Sequence, residues 1–266
     1  MPPLKHLRLA LCAKLLPAAL CAFLLAQAPR AQAGNLITNG SFSNTGTITS
    51  SYAVGTDGGL PGWTVTTSGN KILDCLVYQG ATTNVCGTTA FGGGQTFWAF
   101  PGFSPDGGNY LAVDADSTYA SPISQTISGL TVGQTYYLSF YQAGTEQKQG
   151  TSYTAATTQK WQVTFAGTSG TQTFTSAQMS TTDKTLPPGN YYAPWQYQAT
   201  TFTATDATMT LTFLAQGTPT GQPPFALLDG VSMLATPEPA TYALVGLALI
   251  ALPLATRMRK ARPMKS

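Results

Sequence analysis

From Thr208 to Phe213, threonine alternates with Met209, Leu211 and Phe213. Successive side chains of a strand point to opposite faces, so this run puts three apolar groups on one face and three hydroxyls on the other. A helix would scatter the same residues around its axis, so the run demands an antiparallel sheet with one wet face. Alternating runs recur in Thr135-Tyr136-Tyr137-Leu138-Ser139-Phe140-Tyr141 and in Trp161-Gln162-Val163-Thr164-Phe165. They are rich in Thr, Tyr, Val, Phe and Trp, which suit a pleated, half-buried surface. Gly92-Gly93-Gly94, Gly107-Gly108 and Pro187-Pro188-Gly189-Asn190 mark loops between such runs. No window between residues 34 and 236 carries a helical apolar stripe, and no repeat of fixed period is found. About 200 residues of this kind predict one all-β sandwich.

Charge divides the chain into three. The formal net charge is +3, with 13 Lys+Arg against 10 Asp+Glu. Lys5, Arg8, Lys14 and Arg30 precede residue 34, and Arg257, Arg259, Lys260, Arg262 and Lys265 close the chain; neither end holds an acid beyond Glu238. The body keeps four lysines (Lys71, Lys148, Lys160, Lys184) against nine acids, a balance of about −5. Four scattered lysines make no phosphate-binding groove, which excludes nucleic acid as a partner. The only histidine is His6. Without imidazole in the body, Ser-His-Asp and Cys-His catalysis and His-ligated zinc are excluded there.

The ends read as addresses. Residues 1–33 are predicted to be a secretory signal peptide: a basic start, an apolar run from Leu15 to Ala28, and Ala31-Gln32-Ala33 for cleavage before Gly34. At the other end Thr236-Pro237-Glu238-Pro239 leads into an apolar stretch, Ala240 to Ala255, and then Arg257-Met258-Arg259-Lys260. A helix of about 16 residues covers ~24 Å, a short single span whose basic flank stays cytoplasmic. Behind a secretory leader, this leaves residues 34–235 outside the inner membrane.

Pro237, Glu238 and Pro239, the short apolar helix, and Arg257 with Arg259 resemble, over about residues 236–262, the PEP-CTERM sorting signal of Gram-negative bacteria. The resemblance implies export through the secretion translocon, recognition of the tail by an exosortase, a transient or retained membrane anchor, and a place at the cell surface or in the extracellular matrix. Such proteins are associated with exopolysaccharide, biofilm and floc.

The body carries a second resemblance. Asn35-Leu36-Ile37-Thr38-Asn39-Gly40-Ser41-Phe42 opens it and Leu60-Pro61-Gly62-Trp63 follows. Asn109-Tyr110-Leu111-Ala112-Val113-Asp114 comes next, then Ser124-Gln125-Thr126-Ile127 with Leu130 to Tyr136, and finally Leu228-Asp229-Gly230-Val231-Ser232-Met233. This succession resembles the galactose-binding-like jelly rolls, specifically DUF642-like and family 4/9-type carbohydrate-binding modules. It implies a jelly-roll β-sandwich, and in these modules a structural calcium ion often ties the Asn-Gly-x-Phe segment to an Asp of the last strand. The corresponding ligands are Asn39 and Asp229, but Ser43 stands where the family commonly has Glu, so one carboxylate is missing.

Other residues invite chemistry directly. Cys75 and Cys86 are the body's two cysteines, and in an exported domain they are expected to pair as a disulfide. Asp114 and Asp116, two apart at a strand end, are candidates for a shared cation or sugar hydroxyl, with turn capping as the alternative. Trp98 and Trp195 are candidates for stacking on a sugar ring, with core packing equally open; Trp63 and Trp161 read as core. Glu146 is the body's single glutamate, and no carboxylate pair stands in a recognisable catalytic motif. The expected function is therefore a non-enzymatic, exopolysaccharide-binding surface protein. The alternatives are a purely structural or adhesive surface protein and a carboxylate-dependent glycosidase.

Overall fold

The computed structural model describes residues 34–47, 52–54, 59–66, 74–78, 85–86, 95–148, 151–185 and 191–236. The leader with its Ala31 and Ala33, and the tail with Pro237, Glu238, Pro239, Arg257 and Arg259, lie outside the described residues. Gly34–Thr236 forms one compact unit.

That unit is an all-β jelly-roll sandwich, with strands and no α-helix among the described residues. The first sheet runs in the order β1 (Tyr52–Ala53), β3 (Cys75–Val77), β6 (Tyr110–Asp114), β14 (Pro224–Ala235), β8 (Thr135–Lys148), β5 (Gln95–Phe97) and β4 (Val85–Cys86), with β12 (Ala193–Thr203) also on β8. The second runs β10 (Thr171–Thr175), β9 (Thr158–Ala166), β13 (Thr208–Thr218), β7 (Ile123–Ser128) and β2 (Thr64–Val65), with β11 (Met179–Ser180) also on β9. Every pairing is antiparallel. From β6 onward the chain passes repeatedly from one sheet to the other, which wraps both around a shared core.

The alternation sets that core. Met209, Leu211 and Phe213 of β13 and Trp161, Val163 and Phe165 of β9 face inward and are buried, as are Leu138 and Phe140 of β8. Phe213 is the junction of the layers: Phe140, Trp161 and Trp63 stand edge-on to its ring at 5.2, 5.9 and 6.1 Å. Trp63 and Trp161 are core residues whose indole N–H groups donate to the carbonyls of Asn39 and Leu227. Burying the N–H with an acceptor is what makes tryptophan tolerable in a core.

The opening segment is fastened to the last strand. Leu36 N donates to Met233 O at 2.9 Å and Val231 N to Gly40 O at 3.0 Å. The approach is so close that a Cβ on Gly40 would lie 2.0 Å from Val231 O. Gly40→Ala is therefore expected to lower the unfolding free energy by about 2 kcal/mol or more, read as a fall in the urea midpoint with unchanged slope. An unchanged midpoint would mean that the segment is not held this way.

The outer face of the first sheet is divided. Over its centre lies a second, smaller core in which Phe97 packs edge-on to Phe225 at 4.8 Å and Phe100 packs on Phe97 at 4.9 Å. Cys75, Val77, Tyr110, Ala112, Ala143 and Leu227 complete it. This cover explains why β6 is buried at every residue and why β8 is buried without alternation from Gln142 to Glu146. Toward the other end of β8 the alternation returns, and the outer face is bare.

Candidate functional site

Three tyrosines occupy that bare face. On β8, Tyr136, Leu138 and Phe140 point into the core, so Tyr137 and Tyr141 point out. They are four residues apart on one strand face, about 13 Å at ~3.3 Å per residue. On the neighbouring strand β12, Tyr197 is registered opposite Tyr141. Its ring lies 5.4 Å from that of Tyr141 at 62°, and its hydroxyl is 3.1 Å from the Tyr137 hydroxyl. Tyr197 is 53% exposed and Tyr137 37%. The shared hydroxyl contact raises the pKa of Tyr137.

A polar cleft of about 400 Å³, lined among others by Asn35, Asn39, Ser41, Asp106 and Ser232, meets Tyr141 at its lining residue Gly230. The volume falls within the range of small-ligand sites. Ser232 of β14 pairs with Ser139 of β8, between the two outward tyrosines. Gly230, with φ of 58°, makes the junction: a Cβ there would meet Tyr141 Cδ2 at 2.9 Å and Asp106 Cβ at 3.1 Å. The Tyr141 ring and the exposed Asp106 carboxylate are thus side by side.

Of the residues singled out from sequence, Asn39 lines the cleft and the others lie elsewhere. Trp195 is half-buried, edge-on to Tyr110 at 5.1 Å, with its N–H toward Gly102 O at 3.4 Å. Trp98 is half-buried; it donates to Tyr153 O at 2.6 Å, packs 5.8 Å from Tyr191, and has the Lys148 ammonium 4.8 Å from its ring centre. Asp114 and Asp116 are buried, at 0% and 1% exposure. The Asp116 amide donates to Asp114 Oδ1, and Asp116 accepts from the amides of Thr118 and Gly221. They close turns inside the domain and present nothing to solvent. Burial, outweighing the Asp116 amide, pushes Asp114 up to about 7.

Asn39 and Asp229, the implied calcium ligands, sit on the opening segment and on β14, which are bonded together through Gly40 O and Val231 N. The Asn39 carboxamide is spent locally: its oxygen accepts from Asn44 N, and its nitrogen donates to Asn44 O and Pro61 O. Its φ of 52° is a left-handed conformation that asparagine tolerates well. Asn39 lines the cleft, whereas Asp229 does not. Asp229 is fully buried, and burial pushes it up to about 7 against the Ser104 hydroxyl and the Gly230 amide, with Asp106 adding to the rise. Among the described residues no three His, Cys, Asp or Glu side chains converge as metal ligands. Cys75, at the start of β3, is buried and disulfide-bonded; the side chain of Cys86 lies outside the described residues.

Residues 235–260 match the family model of the PEP-CTERM protein-sorting motif. The tail is a PEP-CTERM sorting signal. Such a motif marks an exported, exosortase-processed surface protein. No curated protein matches the chain in sequence. Among solved structures, the chain is similar to TmCBM61 in complex with β-1,4-galactotriose, at 12% identity over 76% of this chain and 99% of that one, TM-score 0.38. It is similar to the CBM22-1 xylan-binding domain from Paenibacillus barcinonensis at 14% identity over 78% and 97%, TM-score 0.38. The enzymatically active domain of tailspike protein 4 from bacteriophage CBA120 is 14% identical over 76% of this chain, TM-score 0.38, but this chain spans only 21% of it. At these identities and scores the likenesses carry no argument about a ligand or a reaction.

Proposed function

We propose that the protein is a non-enzymatic module that binds exopolysaccharide at the surface of a Gram-negative cell, using the tyrosine face of its first sheet. The observation that carries the reading is the trio Tyr137, Tyr141 and Tyr197 on an open sheet face beside a polar cleft. Flat rings cover the apolar faces of sugars, and hydroxyls and carboxylates at their edges read the sugar hydroxyls. The carboxylates speak against hydrolysis. Glycosidases normally flank the scissile bond with two of them, whereas among the described residues Asp106 is the only acid lining the cleft and Asp74, Asp114, Asp116, Glu146 and Asp229 are all buried. In this reading the leader is removed after Ala33, residues 34–235 work outside the cell, and Cys75 pairs with Cys86.

Affinity for exopolysaccharide purified from the producing bacterium tests the reading. Tyr197→Ala is expected to weaken binding about fivefold, and Tyr137→Ala with Tyr197→Ala to abolish it, at unchanged thermal stability because both rings are exposed. A wild-type chain that fails to bind would favour a purely structural surface protein, and release of reducing ends would revive a glycosidase.

A further inference from the structure

The charge around the tyrosine face sorts the glycans it can take. Asp106 is exposed and packs with Tyr141 against Gly230. Asp229 is buried close enough to Asp106 for the two charges to interact. No described lysine or arginine side chain opposes them. Lys184 is buried against Glu146. Lys148 lies over Trp98, seven residues and about 23 Å along β8 from Tyr141. Lys160 belongs to β9 in the other sheet. The site is thus three aromatic rings and a carboxylate, with no described basic residue among them. Ring faces carry the negative part of the aromatic quadrupole and attract ammonium groups, and an adjacent carboxylate adds charge pairing. A uronate would meet the same rings and Asp106 with like charge and no partner.

We infer that the tyrosine face is a site for polysaccharides bearing free amines, such as N-deacetylated hexosamine polymers, and that it discriminates against polyuronates. The inference rests on the tyrosine face being the glycan site. Asp106 supplies the charge selection, and Tyr137, Tyr141 and Tyr197 supply the stacking common to all sugars.

Three soluble oligosaccharides of equal length test it on the purified chain: β-linked glucosamine, its fully N-acetylated counterpart, and a polyuronate. At low salt the glucosamine oligomer is expected to bind about fivefold tighter than the acetylated one, and the uronate at least about tenfold weaker than glucosamine. The advantage of the amine is expected to vanish at about 0.5 M salt and in Asp106→Asn, to persist in Asp183→Asn, and all binding to fall in Tyr197→Ala. Asp183 is a solvated acid outside the cleft, so its variant controls for attraction by the acidic body as a whole. An amine advantage that survives Asp106→Asn, or a uronate that binds as tightly as glucosamine through Tyr197, would overturn the charge selection and leave the tyrosine face a glycan site. Failure of all three oligomers, together with purified exopolysaccharide, would remove the site and the inference with it.

Discussion

Replacing Lys184 by methionine is expected to lower the unfolding free energy at pH 7 by about 3–5 kcal/mol, the cost of stranding a buried charge. The side chains of Lys184 and Glu146 are both 0% exposed and form an ion pair. The Lys184 ammonium also donates to Thr181 Oγ1 at 2.8 Å and to Ala155 O at 3.3 Å, while its backbone N donates to Thr154 O at 2.7 Å. One side chain therefore ties the segment after β11 to the loop before β9 and to the end of β8. Burial pushes the Glu146 carboxyl up, against the pull of Lys184, Thr181 and Thr157. Without the ammonium, Glu146 takes up a proton more readily, so the loss shrinks at pH 5. Changing both partners, Glu146→Leu with Lys184→Met, is expected to recover most of the loss, because two apolar groups leave no charge uncompensated. Urea midpoints of the wild type, both single variants and the double variant give the coupling. A Lys184→Met loss below about 1 kcal/mol, or a double variant as weak as the single, would refute the pair as a buried fastening.

None of this is visible in Thr181-Thr182-Asp183-Lys184-Thr185, a polar run without an apolar residue. Its partner is 38 residues away, and only the folded sandwich brings the two into a dry interior. What was legible is what depends on period. The alternation of β13, β9 and β8 gave the inward faces of both sheets, because burial of one face fixes which side each residue takes. The same alternation already set Tyr137 and Tyr141 against Leu138 and Phe140. It did not say that the outer face is open there and closed from Gln142 to Glu146, since the cover comes from Phe97 and Phe100, some forty residues earlier. Asp114 and Asp116 were misplaced for a related reason. A period of two assumes the strand goes on, but the chain turns after Asp114, and both carboxylates end inside. Asn39 was singled out by resemblance, but its positive φ and the three carboxamide hydrogen bonds that hold the opening loop depend on Asn44 and Pro61 being folded against it.

The buried aspartates give the domain an inverted pH profile: it is expected to be more stable at pH 5 than at pH 8. Asp114 and Asp229 are each held up to about 7, and Asp74 well above the ordinary carboxylate range, in all three cases mainly by burial. The charge of Asp114 adds to the rise at Asp74, against the pull of the Asp114 amide. The unfolded chain releases these protons near the ordinary value of 3.8, so between about pH 4 and 7 the folded state binds more protons than the unfolded one. Stability that is full below the unfolded value is then lost as pH rises through the folded value. Asp206, held down to about 2 by the Ser169 hydroxyl and amide and by Thr168, acts in the opposite sense, but it is solvated and matters only in stronger acid. From pH 5 up to the folded value of about 7, at ~1.4 kcal/mol per pH unit for each group, Asp114 and Asp229 together lose on the order of 5 kcal/mol of stability. For a domain of this size that is a thermal midpoint about 10 °C higher at pH 5. Asp114→Asn and Asp229→Asn are each expected to flatten the profile and to raise the midpoint at pH 8, because an amide enters the same site without ionising. Calorimetry across pH 4–8 measures all three chains. A wild-type midpoint that climbs from pH 5 to pH 8 would mean that these carboxylates are charged in the folded protein, with a counter-charge at their side.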